Sequence, residues 1–132
     1  MMKNVLLIVV SILFIITASA QENRIKVACI GNSITYGYGL PDRTTQSYPA
    51  QLQKMLGESY QVENFGKSGA TLLNKGHRPY MQQDEFRRAI DFAGDIVVIH
   101  LGINDTDPRD WPDYRDFFVK DYIELIVFFS GG

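Results

Sequence analysis

One pattern restricts the fold of this sequence more than any other: a short apolar segment ends at a glycine, and polar residues follow it directly. The pattern occurs three times, in residues 24–31, 60–66 and 95–102. The first and third segments consist almost entirely of apolar residues towards their ends, which is typical of strands covered on both faces. The second segment alternates apolar and polar residues. The sequence therefore predicts three strands, with the third in the centre of a sheet and the second at an edge or with one less buried face.

Segments with helical periodicity separate these strands. One begins at Ser47, which offers a capping hydroxyl ahead of Pro49, and its apolar stripe includes Met55. Two others cover residues 82–93 and 114–125. The alternation of strand and helix predicts an α/β fold, a three-layer α/β/α arrangement around a flavodoxin-like parallel sheet whose first strand lies between the second and the third.

The polar residues that follow the strands are the candidate site. Ligands of open α/β sheets bind in the crevice outside the carboxyl ends of the strands, where Ser33 and Asn104 would face each other. Taken alone, Gly31-Asn32-Ser33 is equally compatible with an ordinary turn and with a strand that delivers a nucleophile.

Three blocks in this order resemble the SGNH (GDSL-type) hydrolase family: Gly31-Asn32-Ser33, residues 64–71 and residues 102–105. The resemblance extends from Lys26 to about Leu125, and within the family the chain looks most like bacterial esterases that remove O-acetyl groups from sialic acid or other carbohydrates. It implies a small-molecule or glycan ester as substrate and no cofactor or metal.

The resemblance also implies roles for individual residues. Ser33 would form the acyl-enzyme, and its backbone amide, that of Gly69 and the side chain of Asn104 would bind the oxyanion. Donors placed where negative charge develops are the chemistry that acyl transfer needs. Weaker candidates for substrate contact are Asn32, which stands where the family usually has aspartate, and Tyr36, His77 and Asp105.

A serine nucleophile needs a base, and the family takes it from an Asp-x-x-His motif near its C-terminus. This sequence has no such motif. Of its two histidines, His100 is predicted to be a core or near-core residue of the third strand, and His77 to be structural or in contact with substrate. We therefore expect residues 21–126 to be the N-terminal portion of the hydrolase domain, 127–132 to be an atypical apolar tail, and the fragment to be inactive or impaired.

The first twenty residues differ from the rest. Lys3 precedes an apolar run, and small residues lead to Ala20, which predicts a signal peptide over residues 1–20 and a periplasmic or secreted protein with no stable membrane insertion after cleavage. A membrane anchor is the rival interpretation. The single cysteine, Cys29, predicts a buried, inert thiol. A net charge of -2 without a basic run makes nucleic acid an unexpected partner.

Two other classes of function remain open at this point. A flavodoxin-like module could bind phosphate at Ser33 and Thr35, although an export signal and the block at 102–105 are not needed for that. A non-catalytic carbohydrate-binding module could use Tyr36, Tyr38 and Trp111 as stacking surfaces.

Overall fold

The computed structural model describes residues 24–131 and shows a three-stranded parallel sheet. The strands are β1 (Ile25–Gly31), β2 (Tyr60–Gly66) and β3 (Ile96–His100), in the order β2-β1-β3. The predicted α/β fold and the position of the first strand between the other two are confirmed. The predicted signal peptide lies outside the described residues.

Six α-helices connect and follow these strands within the described part of the chain: α1 (Ser33–Tyr36), α2 (Arg43–Gln46), α3 (Tyr48–Leu56), α4 (Asp84–Phe92), α5 (Trp111–Tyr114) and α6 (Phe118–Ser130). Short 3₁₀ turns occupy Tyr80–Gln82, Asn104–Thr106 and Arg115–Phe117. No helix in residues 24–131 has the length and apolar character needed to cross a bilayer.

Two details of the helices differ from the prediction. Ser47 does precede α3, but its hydroxyl caps no helix amide, and Pro49 alone marks the start. Met55 is 76% exposed, so the apolar stripe of α3 is narrower than its sequence suggests. The apolar tail predicted at 127–132 is helical as far as Ser130, where α6 ends.

The core lies around β1, whose residues Val27 to Ile30 are almost completely buried. Alternate side chains of a strand face opposite layers. Cys29 lies beside Tyr48 of α3 on one side of the sheet. Ala28 and Ile30 pack on the other side in one cluster with Phe86 of α4 and Leu125 of α6. The helices therefore cover β1 from both faces, as the three-layer prediction requires.

Within the described residues β3 pairs with β1 alone and its other edge is uncovered; a central place in a larger sheet stays a prediction. Val97 and Ile99 pack against the core cluster, whereas Ile96 is 46% exposed. His100 is exposed at the end of the strand, which corrects its predicted core position. The apolar composition of a strand indicates that its two faces can be buried, but it does not show whether another strand pairs with each of its edges.

The end of the sheet near the candidate site is close-packed. Gly31 and Gly66 are opposite each other in the β1–β2 register. A Cβ at Gly66 would lie 2.7 Å from Cα of Tyr36, and one at Gly31 would lie 2.7 Å from the carbonyl oxygen of His100. Only glycine permits α1 to approach the two strands this closely.

Candidate active site

Ser33 is the first residue of α1 and follows the buried end of β1 directly. The side-chain oxygen of Asn32 accepts a hydrogen bond from the backbone amide of Ile34 at 3.0 Å. The backbone amide of Asn32 donates to the His100 carbonyl at 3.1 Å. These bonds cap the helix and join it to β3. The helix ends after one turn at Gly37, with φ of 86°. Ser33 is thereby held, partly exposed, at the carboxyl edge of the sheet.

The turn after β2 lies against the same edge. The amide of Lys67 donates to the Gly31 carbonyl at 2.8 Å, and Gly69 adopts φ of 78°, a left-handed conformation that favours glycine. The side-chain amide of Asn104 donates to the Ala70 carbonyl at 2.8 Å. The structure thus connects the segments that carry Ser33, Gly69 and Asn104 through two hydrogen bonds. Because an amide nitrogen carries two hydrogens, Asn104 retains a second donor.

Asp105 is completely buried next to Asn104. Its two carboxylate oxygens accept hydrogen bonds from the backbone amides of Leu72 and Leu73, at 2.9 and 2.7 Å. The predicted contact between Asp105 and substrate is therefore wrong, since its oxygens are enclosed and occupied. Its role is to position the chain that follows the Gly69 turn.

Asn32 is also completely buried, so its side chain is not accessible for the predicted substrate contact. Its oxygen caps α1, while its side-chain nitrogen has no hydrogen-bond partner in residues 24–131. The buried hydroxyl of Ser68, on the turn that leads to Gly69, likewise has no partner within that range. The family's usual aspartate at position 32 would place an acceptor oxygen where this sequence has a donor.

His77 forms a pair with Asp110. The carboxylate of Asp110, 2% exposed, accepts from the His77 backbone amide at 2.9 Å, and its other oxygen lies 2.6 Å from Nδ1 of the ring. A carboxylate on one imidazole nitrogen is the arrangement that orients a histidine base in a triad. Within the described residues, however, the hydroxyl of Ser33 forms no hydrogen bond with either histidine.

Three acidic residues hold the loop formed by residues 71–79. Asp105 and Asp110 bind its amides as described, and Asp121 of α6 accepts from the backbone amide of Asn74 at 2.8 Å. Sequence reasoning missed Asp110 and Asp121. The one available signal for Asp121 is its position four residues before the buried Leu125, on the inner face of α6.

The aromatic residues that could stack on a sugar ring differ in how far their rings are exposed. The ring of Tyr36 is covered by the guanidinium of Arg43, 4.1 Å from its centroid. Tyr38 is 76% exposed. Trp111 is 37% exposed and packs edge-on against Phe118 at 5.7 Å between centroids. Tyr38 and Trp111 are therefore better placed than Tyr36 to contact a sugar ring.

Burial raises the pKa values of Cys29 in β1 and of Tyr48 in α3. It raises the pKa of the Cys29 thiol to about 11 and that of the Tyr48 phenol to about 12. Both groups are uncharged at neutral pH, so no thiolate competes with Ser33. A cavity of about 340 Å³ between α2, α3 and β2, lined in part by Arg43, Gln53 and Asn64, includes none of the candidate catalytic residues.

Residues 29–127 match the GDSL-like Lipase/Acylhydrolase family. The chain is also similar to an acetylxylan esterase of Xylanibacter ruminicola, with 49% identity over 106 residues. The matched part is 80% of this chain but 22% of that protein, so the chain spans about a fifth of the relative's length. No solved structure matches the chain.

Proposed function

The chain belongs to the GDSL-like lipase/acylhydrolase family, and from this premise we propose that it hydrolyses O-acetyl esters of carbohydrates with Ser33 as the nucleophile. The relative named acetylxylan esterase supports an acetylated glycan as the substrate class. Because the matched part of that relative is 22% of its length, the argument for this chain depends on its own site.

The observation that carries the proposal is the convergence of three turns at one edge of the sheet. The Lys67 amide bonds to Gly31, and the Asn104 side chain bonds to Ala70. Neither bond is required for a simple turn after a strand. Together they bring the segments that carry Ser33, Gly69 and Asn104 into contact, which supports the proposed roles of these residues as nucleophile and oxyanion donors.

These residues have a defined task in acyl transfer. The Ser33 hydroxyl oxygen attacks the acetyl carbonyl, and the resulting oxyanion accepts hydrogen bonds from the amides of Ser33 and Gly69 and from the side chain of Asn104. The sugar alcohol leaves with a proton, and water then hydrolyses the acetyl ester on Ser33. Removal of one oxyanion donor typically raises the barrier by about 3 to 4 kcal/mol.

The proton of Ser33 is the limiting point of this mechanism. Serine is a weak nucleophile without an adjacent base. Since its hydroxyl is bonded to no histidine in residues 24–131, we expect slow turnover by this chain alone. Added imidazole should accelerate the reaction by acting as an external base, and this acceleration should require Ser33.

Two finer statements belong to the same proposal. Acetylated xylan-type glycans and O-acetylated sialic acid are the candidate substrates, the first suggested by the relative and the second by the blocks around Ser33 and Asn104.

An exported location follows from the leader predicted at residues 1–20. N-terminal sequencing of the protein recovered outside the cytoplasm tests that location, and a mature terminus at Gln21 is expected.

The test is release of acetate from 4-nitrophenyl acetate, acetylated xylo-oligosaccharides and O-acetylated sialic acid. Ser33→Ala should abolish the enzymatic rate on every ester that the chain hydrolyses, whereas Ser59→Ala, at an exposed turn, should retain it. Equal rates for the chain and Ser33→Ala, with and without imidazole, would contradict the proposal.

A further inference from the structure

Arg78 lies directly against the turn that carries a proposed oxyanion donor. Its Nη1 donates to the Ser68 carbonyl at 2.9 Å and lies 3.3 Å from the position that a Cβ at Gly69 would occupy. The backbone of Arg78 is fixed as well, because its carbonyl accepts from the Thr71 amide at 2.8 Å. A positive charge is therefore held in contact with Gly69 by both its main chain and its side chain.

The acidic groups of this region already have partners. Arg109 binds Asp107 through two side-chain hydrogen bonds of 2.9 and 2.8 Å, and these bonds hold the pKa of Asp107 well below its usual range. Asp110 is paired with His77. Asp105, described above, directs both oxygens at backbone amides. The acidic groups near the site are thus committed to other partners.

Arg78 has no acidic partner in the described part of the chain. It forms no salt bridge within residues 24–131, and the residue is exposed. A guanidinium carries five N–H donors in a planar fork, and the bond to Ser68 uses Nη1. Its remaining donors are free to bind an anion. The natural complement of such a fork is a carboxylate, which it binds through two parallel hydrogen bonds.

We propose that Arg78 binds a carboxylate on the alcohol part of the substrate, so that the site prefers acyl esters of acidic sugars to those of neutral sugars. The inference rests on the proposed function. In this proposal Arg78 adds to the oxyanion donors and does not replace them, because its Nη1 contacts the Gly69 turn and binds the Ser68 carbonyl. It is a specificity-determining residue for the sugar.

Two pairs of matched esters test this inference: 4-acetoxybenzoate against 4-acetoxybenzamide, and a mono-acetylated methyl glucuronoside against the corresponding methyl glucoside. Arg78→Gln should raise KM for the acidic ester about tenfold and change KM for the neutral ester by less than about twofold, since one charge-assisted contact is lost. For the acidic ester, KM of Arg78→Lys should lie between that of the unaltered chain and that of Arg78→Gln, because lysine keeps the positive charge without the planar set of donors. Arg87→Gln, at an exposed pair with Asp84 on α4, is the matched control.

Added salt provides a second readout. It should reduce the preference of the unaltered chain for the acidic ester and leave Arg78→Gln unaffected, because an exposed ion pair is screened. Equal effects of Arg78→Gln on both esters would overturn the inference and assign Arg78 a structural role at Ser68. An absence of preference in the unaltered chain would also overturn it.

Failure of the proposed function is distinguishable from failure of this inference. If no ester shows turnover that depends on Ser33, binding of methyl glucuronoside to Ser33→Ala is measured by NMR titration. Chemical-shift changes that disappear in the Ser33→Ala, Arg78→Gln double variant would support the anion site without the hydrolase. Binding that is absent or indifferent to Arg78 would overturn it.

Discussion

The two halves of the candidate active site are built by different means. The nucleophile half, residues 31–37, is held by main-chain hydrogen bonds to the sheet and by close packing at glycines. The oxyanion half, residues 69–79 with residues 104–110, is held by buried carboxylates that accept from amides of the loop 71–79. The first half should therefore respond to changes in side-chain volume, and the second to the loss of a single acidic group.

The reason for the difference is backbone hydrogen bonding. The nucleophile turn begins at the end of a central strand, so neighbouring strands supply acceptors such as the His100 carbonyl. The loop 71–79 has one isolated bridge, between Thr71 and Pro79, and no strand beside its middle. Buried amides need partners, and acidic side chains from distant positions supply them here.

The largest expected effect is loss of the carboxylate that supports two loop amides. Asp105→Ala should lower the free energy of unfolding by about 2 to 5 kcal/mol, because two buried amides lose their acceptors. Urea denaturation at neutral pH measures this, with Asp116→Ala, at a 94% exposed side chain, as the control. Asp105→Asn should lose less, since its amide keeps one acceptor oxygen. If the free energy of unfolding of Asp105→Ala equalled that of Asp116→Ala, the loop 71–79 would not depend on the Asp105 carboxylate.

Asn104 tests whether the same half stabilises the transition state. Asn104→Ala should reduce kcat about a hundredfold to a thousandfold on 4-nitrophenyl acetate, because one oxyanion donor is removed. Stability should decrease by about 1 kcal/mol, because the hydrogen bond to the Ala70 carbonyl is lost. A loss of stability with unchanged kcat would make Asn104 a structural residue only.

Gly66 tests the packing of the nucleophile half. Gly66→Ala should lower the free energy of unfolding by about 2 to 3 kcal/mol, since the added methyl group would overlap the backbone of Tyr36. Gly39→Ala serves as the control, because Gly39 has open space around it and only its φ of 82° opposes substitution, a penalty of about 1 kcal/mol. Thermal and urea denaturation should rank the two variants in that order. The reverse order would show that α1 moves freely from the sheet.

The smallest effect is expected at alkaline pH. The folded pKa values of Cys29 and Tyr48 are about 11 and 12, above their ordinary values of 9.0 and 10.0. Between each ordinary and folded value the unfolded chain loses a proton that the folded chain keeps, so the stability contributed by each group is lost as pH rises. The free energy of unfolding should therefore decline from about pH 9. Cys29→Ala should remove the first part of this decline; an identical pH profile would exclude Cys29 as its source.

The sheet, and the placement of the candidate site residues at its edge, could be predicted because local sequence specifies them. β1 and β2 end at a glycine, Gly102 follows the end of β3 by two residues, and the polar residues beyond them fall at one edge of any parallel sheet. Ser33, Gly69 and Asn104 consequently lie where the sequence indicates. The neighbour of a strand is not local information, which is why a second neighbour for β3 stays a prediction.

The partners of the carboxylates could not be predicted for a related reason. Asp110 meets His77 across 33 positions, and Asp121 meets Asn74 across 47. No periodicity or short motif connects positions so far apart. Asp105 shows the converse error, because a polar residue after a strand suggests a ligand contact even where its carboxylate is buried against the main chain.

The hydrogen bond from Asn74 to Asp121 gives α6 an influence on the active site. Local opening of a helix releases the groups that depend on it, and amide hydrogen exchange reports such cooperative units. The Asn74 amide should exchange slowly for a loop position and at the rate at which α6 detaches, rather than at the rate of the surrounding loop. Opening of the first turns of α6 would thus remove one of the acceptors that hold the loop 71–79.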